Sequence, residues 1–485
     1  MINNKEYSRL SAYKIAEMVK AKDISAIEVA EAAISRMDAT EPFIHAFCTP
    51  TRDLAREMAK KIDSQISNGE KVGDLAGVPI GIKDLICTKG IKTTSGSNIY
   101  KDYIPKCDDI IIERLREAGA VILGKTNVPE FGYSGVGHNP VFPTTRNPWN
   151  LDLTSGGSSA GAGASVAAGV TPFSIGSDGG GSIRIPAAHC GLFGIKASFG
   201  RVPLWPGTRD HTMPGMSSWE GLEHIGPISR TVKDSAIILS VISGPDMRDQ
   251  HSLPAANFNW LNCLEGGIRG LRVAYSEDWG YAAVDPKVRK IVRNAVKVFE
   301  TDLGCEVVEA NPGWDDPYEA FWAIVAMETD LSGLRELVSK HAHEMTPHLV
   351  DFILKPWTAE DFTDAVIARK AVNNKMSEFM KNFDLLLTPT LACPPFSLNV
   401  QGPEKIDDKI VHPFQWLAFT FPINLTRQPA ASIPAGFTND GLPVGLQIIG
   451  RHLDDPLVLR AASAFEAASP WSESWPNFLS ANAID

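Results

Sequence analysis

Two glycine-rich segments carrying serines stand twenty-four positions apart, Ser155-Gly-Gly-Ser158-Ser159 and Gly176-Ser-Asp178-Gly-Gly-Gly181-Ser182-Ile-Arg184, counted from Ser158 to Ser182. Gly179, Gly180 and Gly181 let the backbone ahead of Ser182 turn several N–H groups toward one point. That is the arrangement that stabilises the oxyanion of an acyl-transfer intermediate. A glycine-rich turn in a sheet protein has the same composition, and taken alone that plainer reading prevails. Upstream, the apolar run Gly77-Val-Pro-Ile-Gly-Ile-Lys83 ends on a lysine. It is either a strand-end charge reaching for water or a desolvated amine able to act as a base. Buried lysines are rare, so Lys83 taken alone is expected to reach solvent.

Two other patterns fail on their surroundings. Gly119-Ala-Val-Ile-Leu-Gly124-Lys125-Thr126 satisfies the phosphate-loop expression, but its interior reads as a buried strand and Asn127-Val-Pro129 follows where a helix should start. Gly157-Ser-Ser159-Ala-Gly161 satisfies the nucleophile-elbow expression. The elbow needs a strand running into Ser159 and a histidine base. Residues 146–154 read as a polar loop, and no spacing singles out a histidine. An esterase using Ser159 stays open as an alternative.

The elements that must position these groups alternate. Ser25 and Glu28 form a capping box for a helix over 25–37, with Ile27, Ala30, Ile34 and Met37 on one face. Short β-branched runs at 77–83, 120–123, 171–175 and 385–387 suit strands buried on both faces, with helices expected over 109–118 and 158–169. Residues 271–308 read as a βαβ unit, its helix opened by Asp285 and Pro286. Strand alternating with helix points to an α/β sandwich.

Composition sets the outer limits. The 485 residues are 44% apolar and 21% charged, typical of a folded, water-soluble protein, and the net charge of −11 disfavours nucleic acid and anionic membrane as partners. Seven scattered cysteines without a C-x-x-C pair read as reduced thiols, and neither a signal peptide nor a membrane span is expected, so a cytoplasmic protein is. His341-Ala-His343 and His348 fall in an expected solvated helix without a further ligand set, so neither metal nor cofactor is expected.

Taken together, the Lys83, Ser158 and Ser182 segments resemble the amidase signature family. The likeness continues through Lys92-Thr-Thr-Ser-Gly-Ser97, Gly124-Lys-Thr-Asn-Val-Pro-Glu-Phe131, the run 155–203, Asp384-Leu-Leu-Leu-Thr-Pro-Thr390 and Gly441-Leu-Pro-Val-Gly-Leu-Gln447. The resemblance implies one catalytic domain over 1–485, an α/β/α sandwich around a mixed sheet. Core motifs would lie in 75–203, and variable substrate-binding loops over 204–224 and 309–380. It implies a Ser–cis-Ser–Lys triad, with Ser182 as nucleophile, Ser158 as the bridging serine on a cis peptide and Lys83 as base. The extra glycine in Asp178-Gly-Gly-Gly181, where many members carry Asp-Thr-Gly-Gly, keeps the backbone donors. The implied activity is amide hydrolysis through an acyl-enzyme, and one branch of the family transamidates misacylated tRNA. A small neutral apolar or aryl amide is the expected substrate, with carbamates or esters as side substrates. Trp205, Met213, Met216 and Trp219 are expected to line its pocket, with Phe131 and Tyr133 as further candidates. A monomer or a homodimer is expected.

Overall fold

The computed structural model describes residues 2–207, 213, 219–482 and 484. Its centre is an eleven-stranded sheet, in the order Phe47–Pro50, Val121–Thr126, Pro79–Lys83, Phe173–Ser177, Ile225–Ser229, Phe193–Lys196, Ala430–Phe437, Pro443–Gly450, Leu385–Pro389, Arg272–Tyr275, Glu306–Glu309. Pro79–Lys83 runs parallel to both of its neighbours, whereas the strands on either side of Ile225–Ser229 are antiparallel to it, so the sheet is mixed. Every residue of Pro79–Lys83, Val121–Thr126 and Phe173–Ser177 is buried, which is why these runs are continuously apolar rather than alternating.

The expected capping box holds: Ser25 and Glu28 open a helix that extends further than its periodicity suggests, Ala26–Ile44. The unit over 271–308 is βαβ as expected, with parallel strands Arg272–Tyr275 and Glu306–Glu309 joined by helix Pro286–Thr301. Two expectations fail. Residues 146–154 are not a loop but a hairpin, Arg146–Asn147 with Asn150–Thr154, standing apart from the main sheet. Its alternating half-exposed pattern is that of a two-stranded ribbon on the surface. The segment 309–380 is not loops either; it carries helices Tyr318–Met327, Leu331–His341, Pro347–Leu354 and Ala359–Phe379, the last opened by a capping box from Thr358 and Asp361. Among the described residues, no helix is long and apolar enough to cross a membrane.

Candidate active site

Parallel strands bring the first two polar groups together. Lys83 and Ser177 end the adjacent strands Pro79–Lys83 and Phe173–Ser177, which pair Ile82 with Ile175, and their side chains meet beyond the carboxyl edge. Lys83 does not reach solvent, contrary to the expectation for an isolated strand-end lysine: it is 1% exposed. Its Nζ lies 2.7 Å from Ser158 Oγ, 2.7 Å from Ser177 Oγ and 3.1 Å from the Ser177 carbonyl. Three oxygens in reach replace the water that a snorkelling lysine would seek.

Ser158 precedes helix Ala160–Ala167, and the Gly157–Ser158 peptide is cis. A Cβ on Gly157 would run into the Val136 backbone, so only glycine fits this approach. Ser159 donates its N–H to the Ser182 carbonyl at 3.3 Å, tying the two serine segments to each other. Its own hydroxyl is fully buried between the Ser177 carbonyl, 3.2 Å away, and the Ser177 N–H, 3.3 Å away. Ser159 thus splices two segments with its hydroxyl spent on Ser177 and closed off from solvent, an arrangement that does not fit the elbow reading.

The loop from Asp178 to Ile183 hangs on one buried ion pair. Arg184 Nε and Nη2 donate to the two Asp178 carboxylate oxygens at 2.9 Å each, and both side chains are fully buried. Burial alone would raise the Asp178 carboxyl, but the Arg184 guanidinium, Lys196 and Asn424 hold it well below the usual carboxylate range. Asp178 also accepts the Gly181 N–H at 2.8 Å and the Ile183 N–H at 3.2 Å. Gly181 is therefore withdrawn from the expected set of oxyanion donors, because its proton is committed to Asp178. Among the described residues, the amides of Gly179, Gly180 and Ser182 have no protein acceptor. Thr420 Oγ1 and Asn424 Nδ2 clasp the loop from the far end of the chain, donating to the Gly180 and Asp178 carbonyls at 2.8 Å each. Behind it, Lys196 Nζ lies 3.3 Å from His224 Nε2, and His224 Nδ1 lies 2.8 Å from the Leu222 carbonyl. Burial first, then the neighbouring charges, pushes His224 well below the ordinary histidine range, so its imidazole is neutral.

Ser182 opens onto an apolar cavity whose walls include Tyr133, Trp219, Phe321, Trp322 and Phe421. Among the described residues, no histidine lines it. The chain belongs to the amidase family. A model of that family, described as Amidase, matches residues 28–459. The chain is 39% identical over 476 residues to an acylamidase from Rhodococcus erythropolis, covering 96% of this chain and 97% of that one. It is 36% identical over 495 residues to a glutamyl-tRNA(Gln) amidotransferase subunit from Carboxydothermus hydrogenoformans, covering 96% and 99%. Among solved structures, a bacterial aryl acylamidase of the amidase signature family superimposes with a TM-score of 0.89 at 34% identity, covering 96% of this chain and 97% of that chain. The protein is thus an amidase-family enzyme on an amidase-signature fold.

Within this amidase fold the expected pocket residues separate. Tyr133 and Trp219 line the Ser182 cavity, ring to ring at 4.7 Å and nearly perpendicular, with Trp219 Nε1 donating to Tyr133 Oη at 3.1 Å. Phe131 is 1% exposed and packs edge-on against Tyr100, behind the cavity wall rather than on it. Trp205 lines a different cavity and lies under the Arg248 guanidinium, 4.9 Å away. Met213 packs against the hydrophobic core and does not line the Ser182 cavity. Met216 lies outside the described residues. Sequence reasoning missed Ser177, Thr420 and Asn424; for Ser177 the available signal was a serine just beyond the strand expected over 171–175.

The Walker-like lysine is accounted for by burial. Lys125 Nζ donates to the Ile86 carbonyl, to Thr88 Oγ1 at 2.8 Å and to Thr93 Oγ1 at 3.1 Å, inside a strand that no phosphate could reach. His343 is exposed and His348 half-buried, so the segment is less uniformly solvated than its sequence suggests. Among the described residues no cluster of three or more metal-ligating side chains forms.

Proposed function

We propose that the protein hydrolyses small neutral amides, aryl amides foremost, through an acyl-enzyme on Ser182, with carbamates and esters as side substrates. The observation that carries this reading is the 2.7 Å contact of buried Lys83 with Ser158, on a loop hydrogen-bonded to the Ser182 carbonyl. Burial disfavours the charged ammonium. A neutral Lys83 accepts the Ser158 hydroxyl proton while Ser158 accepts that of Ser182, and Ser182 Oγ attacks the amide carbonyl. The amides of Gly179, Gly180 and Ser182 receive the oxyanion. The relay returns its proton to the leaving amine, and water then takes the same route to free the acid. Each oxyanion donor contributes about a hundredfold or more in rate.

A second reading, the ammonia-supplying component of a tRNA transamidation system, is favoured by the likeness to a glutamyl-tRNA(Gln) amidotransferase. The aromatic lining of the Ser182 cavity supports the first. Seven cysteines, none of them in a disulfide, fit an enzyme of the cytoplasm.

The test is peptide mapping after fluorophosphonate treatment, with acetanilide and glutamine as competing substrates. Label on Ser182, absent in Lys83→Ala, with acetanilide hydrolysed, is the expected result. Label on another serine overturns the triad, and hydrolysis of glutamine alone overturns the substrate class.

A further inference from the structure

Gly179 and Gly180 lie outside the left-handed region, unlike Gly181, whose φ of 128° favours glycine. Their backbone would accept a side chain, but the room for one is already taken. A Cβ on Gly179 would lie 2.7 Å from Trp219 Cε3 and 2.7 Å from Glu223 Oε2, and one on Gly180 would lie 2.7 Å from Phe321 Cζ. Trp219 and Phe321 are both buried walls of the Ser182 cavity. An aromatic ring thus rests directly on the bare backbone of each glycine.

At Gly179 neither side of the contact can retreat. Asp178, one residue before, exchanges backbone hydrogen bonds with His224: its N–H donates at 2.7 Å and its carbonyl accepts at 3.1 Å. Trp219 starts the turn that leads to His224, its carbonyl accepting the Leu222 and Glu223 N–H groups at 2.8 and 3.0 Å. The Trp219 backbone is itself left-handed, at φ 48°, where a bulky residue stays only if its surroundings hold it. At the far end of its side chain, Nε1 donates to Tyr133 Oη at 3.1 Å and lies 3.2 Å from Thr329 Oγ1. The Glu223 carboxylate can swing aside; the indole, held at both ends, cannot.

Backbone covered by a ring is closed to water on that side. A hydrogen-bond donor stabilises a developing charge more strongly where water is excluded than where it is present. On the reading that the Gly179 amide receives the oxyanion, we infer that Gly179 and Trp219 are a matched pair: the missing Cβ admits the indole, and the indole fixes the Gly179 donor and keeps water off it. Trp219 is thereby a positioning residue for the chemical step as well as a wall of the cavity.

A double-mutant cycle on Gly179→Ala and Trp219→Leu tests the pair. Tm, kcat and KM are read on each protein, with whichever of acetanilide and glutamine the wild type hydrolyses. Gly179→Ala keeps the amide and adds only the Cβ; it is expected to lower Tm and to lower kcat roughly tenfold or more, with KM moved less than about threefold. In the Trp219→Leu background the same change is expected to alter kcat less than about threefold, because the ring it collides with is gone. An equal effect on kcat in both backgrounds, no effect in either, or coupling seen in Tm alone overturns the inference. If Gly179→Ala does not fold, Trp219→Phe carries the test, since it keeps a ring but gives up both Nε1 contacts: a fall in kcat supports the inference and a rise in KM alone overturns it. The reading beneath is checked separately on the wild type, where fluorophosphonate on a serine other than Ser182 overturns the oxyanion assignment itself, whatever the cycle shows.

Discussion

Arg184 grips Asp178 with two parallel N–H···O bonds of 2.9 Å, and neither side chain touches solvent. Asp178 in turn fixes the Gly181 and Ile183 amides, so the turn presenting Gly179, Gly180 and Ser182 is set by a pair that makes no contact with the cavity. Arg184→Lys keeps the charge but cannot span both carboxylate oxygens or reach Gln447 and Asn424, each 2.6 Å from the guanidinium. Breaking such a pair costs about 3–5 kcal/mol. Thermal unfolding and fluorophosphonate labelling kinetics check this: the variant should unfold earlier and label at least tenfold more slowly. Wild-type labelling would detach the ion pair from the loop.

Ser177→Ala removes one hydroxyl from Lys83 and leaves the Ser177 carbonyl in place. Lys83 becomes an ammonium only as it takes the Ser158 proton, and a hydrogen bond to a charged group is worth about 1.5–3 kcal/mol, so kcat should fall roughly ten- to a hundredfold with little change in KM. Steady-state kinetics on acetanilide measure both. A rise in KM alone would make Ser177 a substrate contact instead of a support for the lysine.

Gly161, the last residue of the elbow-like pattern, sits where a Cβ would collide with the Ala46 carbonyl and the Asn127 amide. Neither atom is a side chain that can swing away. Gly161→Ala should cost at or above the roughly 1–3 kcal/mol usual for overpacking. The check is a melting curve. An unchanged Tm would show that the backbone there yields more easily than its packing indicates.

Asp234 caps helix Ala12–Ala21 from a distant helix, accepting the Ala12 and Tyr13 N–H groups at 3.0 and 3.1 Å. Burial pushes its carboxyl up to about 6, against those two N–H bonds. An unfolded aspartate titrates near 3.9, so between about pH 4 and pH 6 the folded chain holds a proton the unfolded chain has released. Its contribution to stability therefore falls as pH rises through that window and is level above it. Asp234→Asn does not titrate, so the Tm of the variant minus that of wild type should grow by about 2 °C from pH 4.5 to pH 7.5. A difference flat with pH would mean that Asp234 is ionised throughout.

What could be read from the chain before its structure was local. Ser25 and Glu28 cap a helix through their own neighbours, and the apolar runs at 77–83 and 171–175 declare themselves as buried strands, formed in the fold over Pro79–Lys83 and Phe173–Ser177. Lys83 could not be read this way, because its surroundings are set by residues 75 and 94 positions away. The same holds for Thr420 and Asn424, ordinary polar residues until the fold carries them to Asp178. Trp205 misled for the converse reason: its size suggested a pocket wall, but the chain turns it toward Arg248. The helices of 309–380 were hidden because half-buried helices show only a weak apolar stripe, and the capping box of Thr358 and Asp361 was the available clue.

The strands Ala430–Phe437 and Pro443–Gly450 lie mid-sheet although they come last in sequence among the described strands, and Gln447, which accepts from Arg184, lies on the second. On the ribosome, residue 447 emerges 265 residues after Ser182. At about 5–20 residues per second, that is a wait of roughly 13–50 s. Throughout that interval the nascent chain has already made Lys83, Ser158 and Ser182, but Arg184 lacks the partners that seal it in the interior. The two strands therefore close over Arg184 well after the Ser182 segment has been made, so a chain cut before residue 447 is expected to lack the Gln447 contact that helps hold the Asp178 loop.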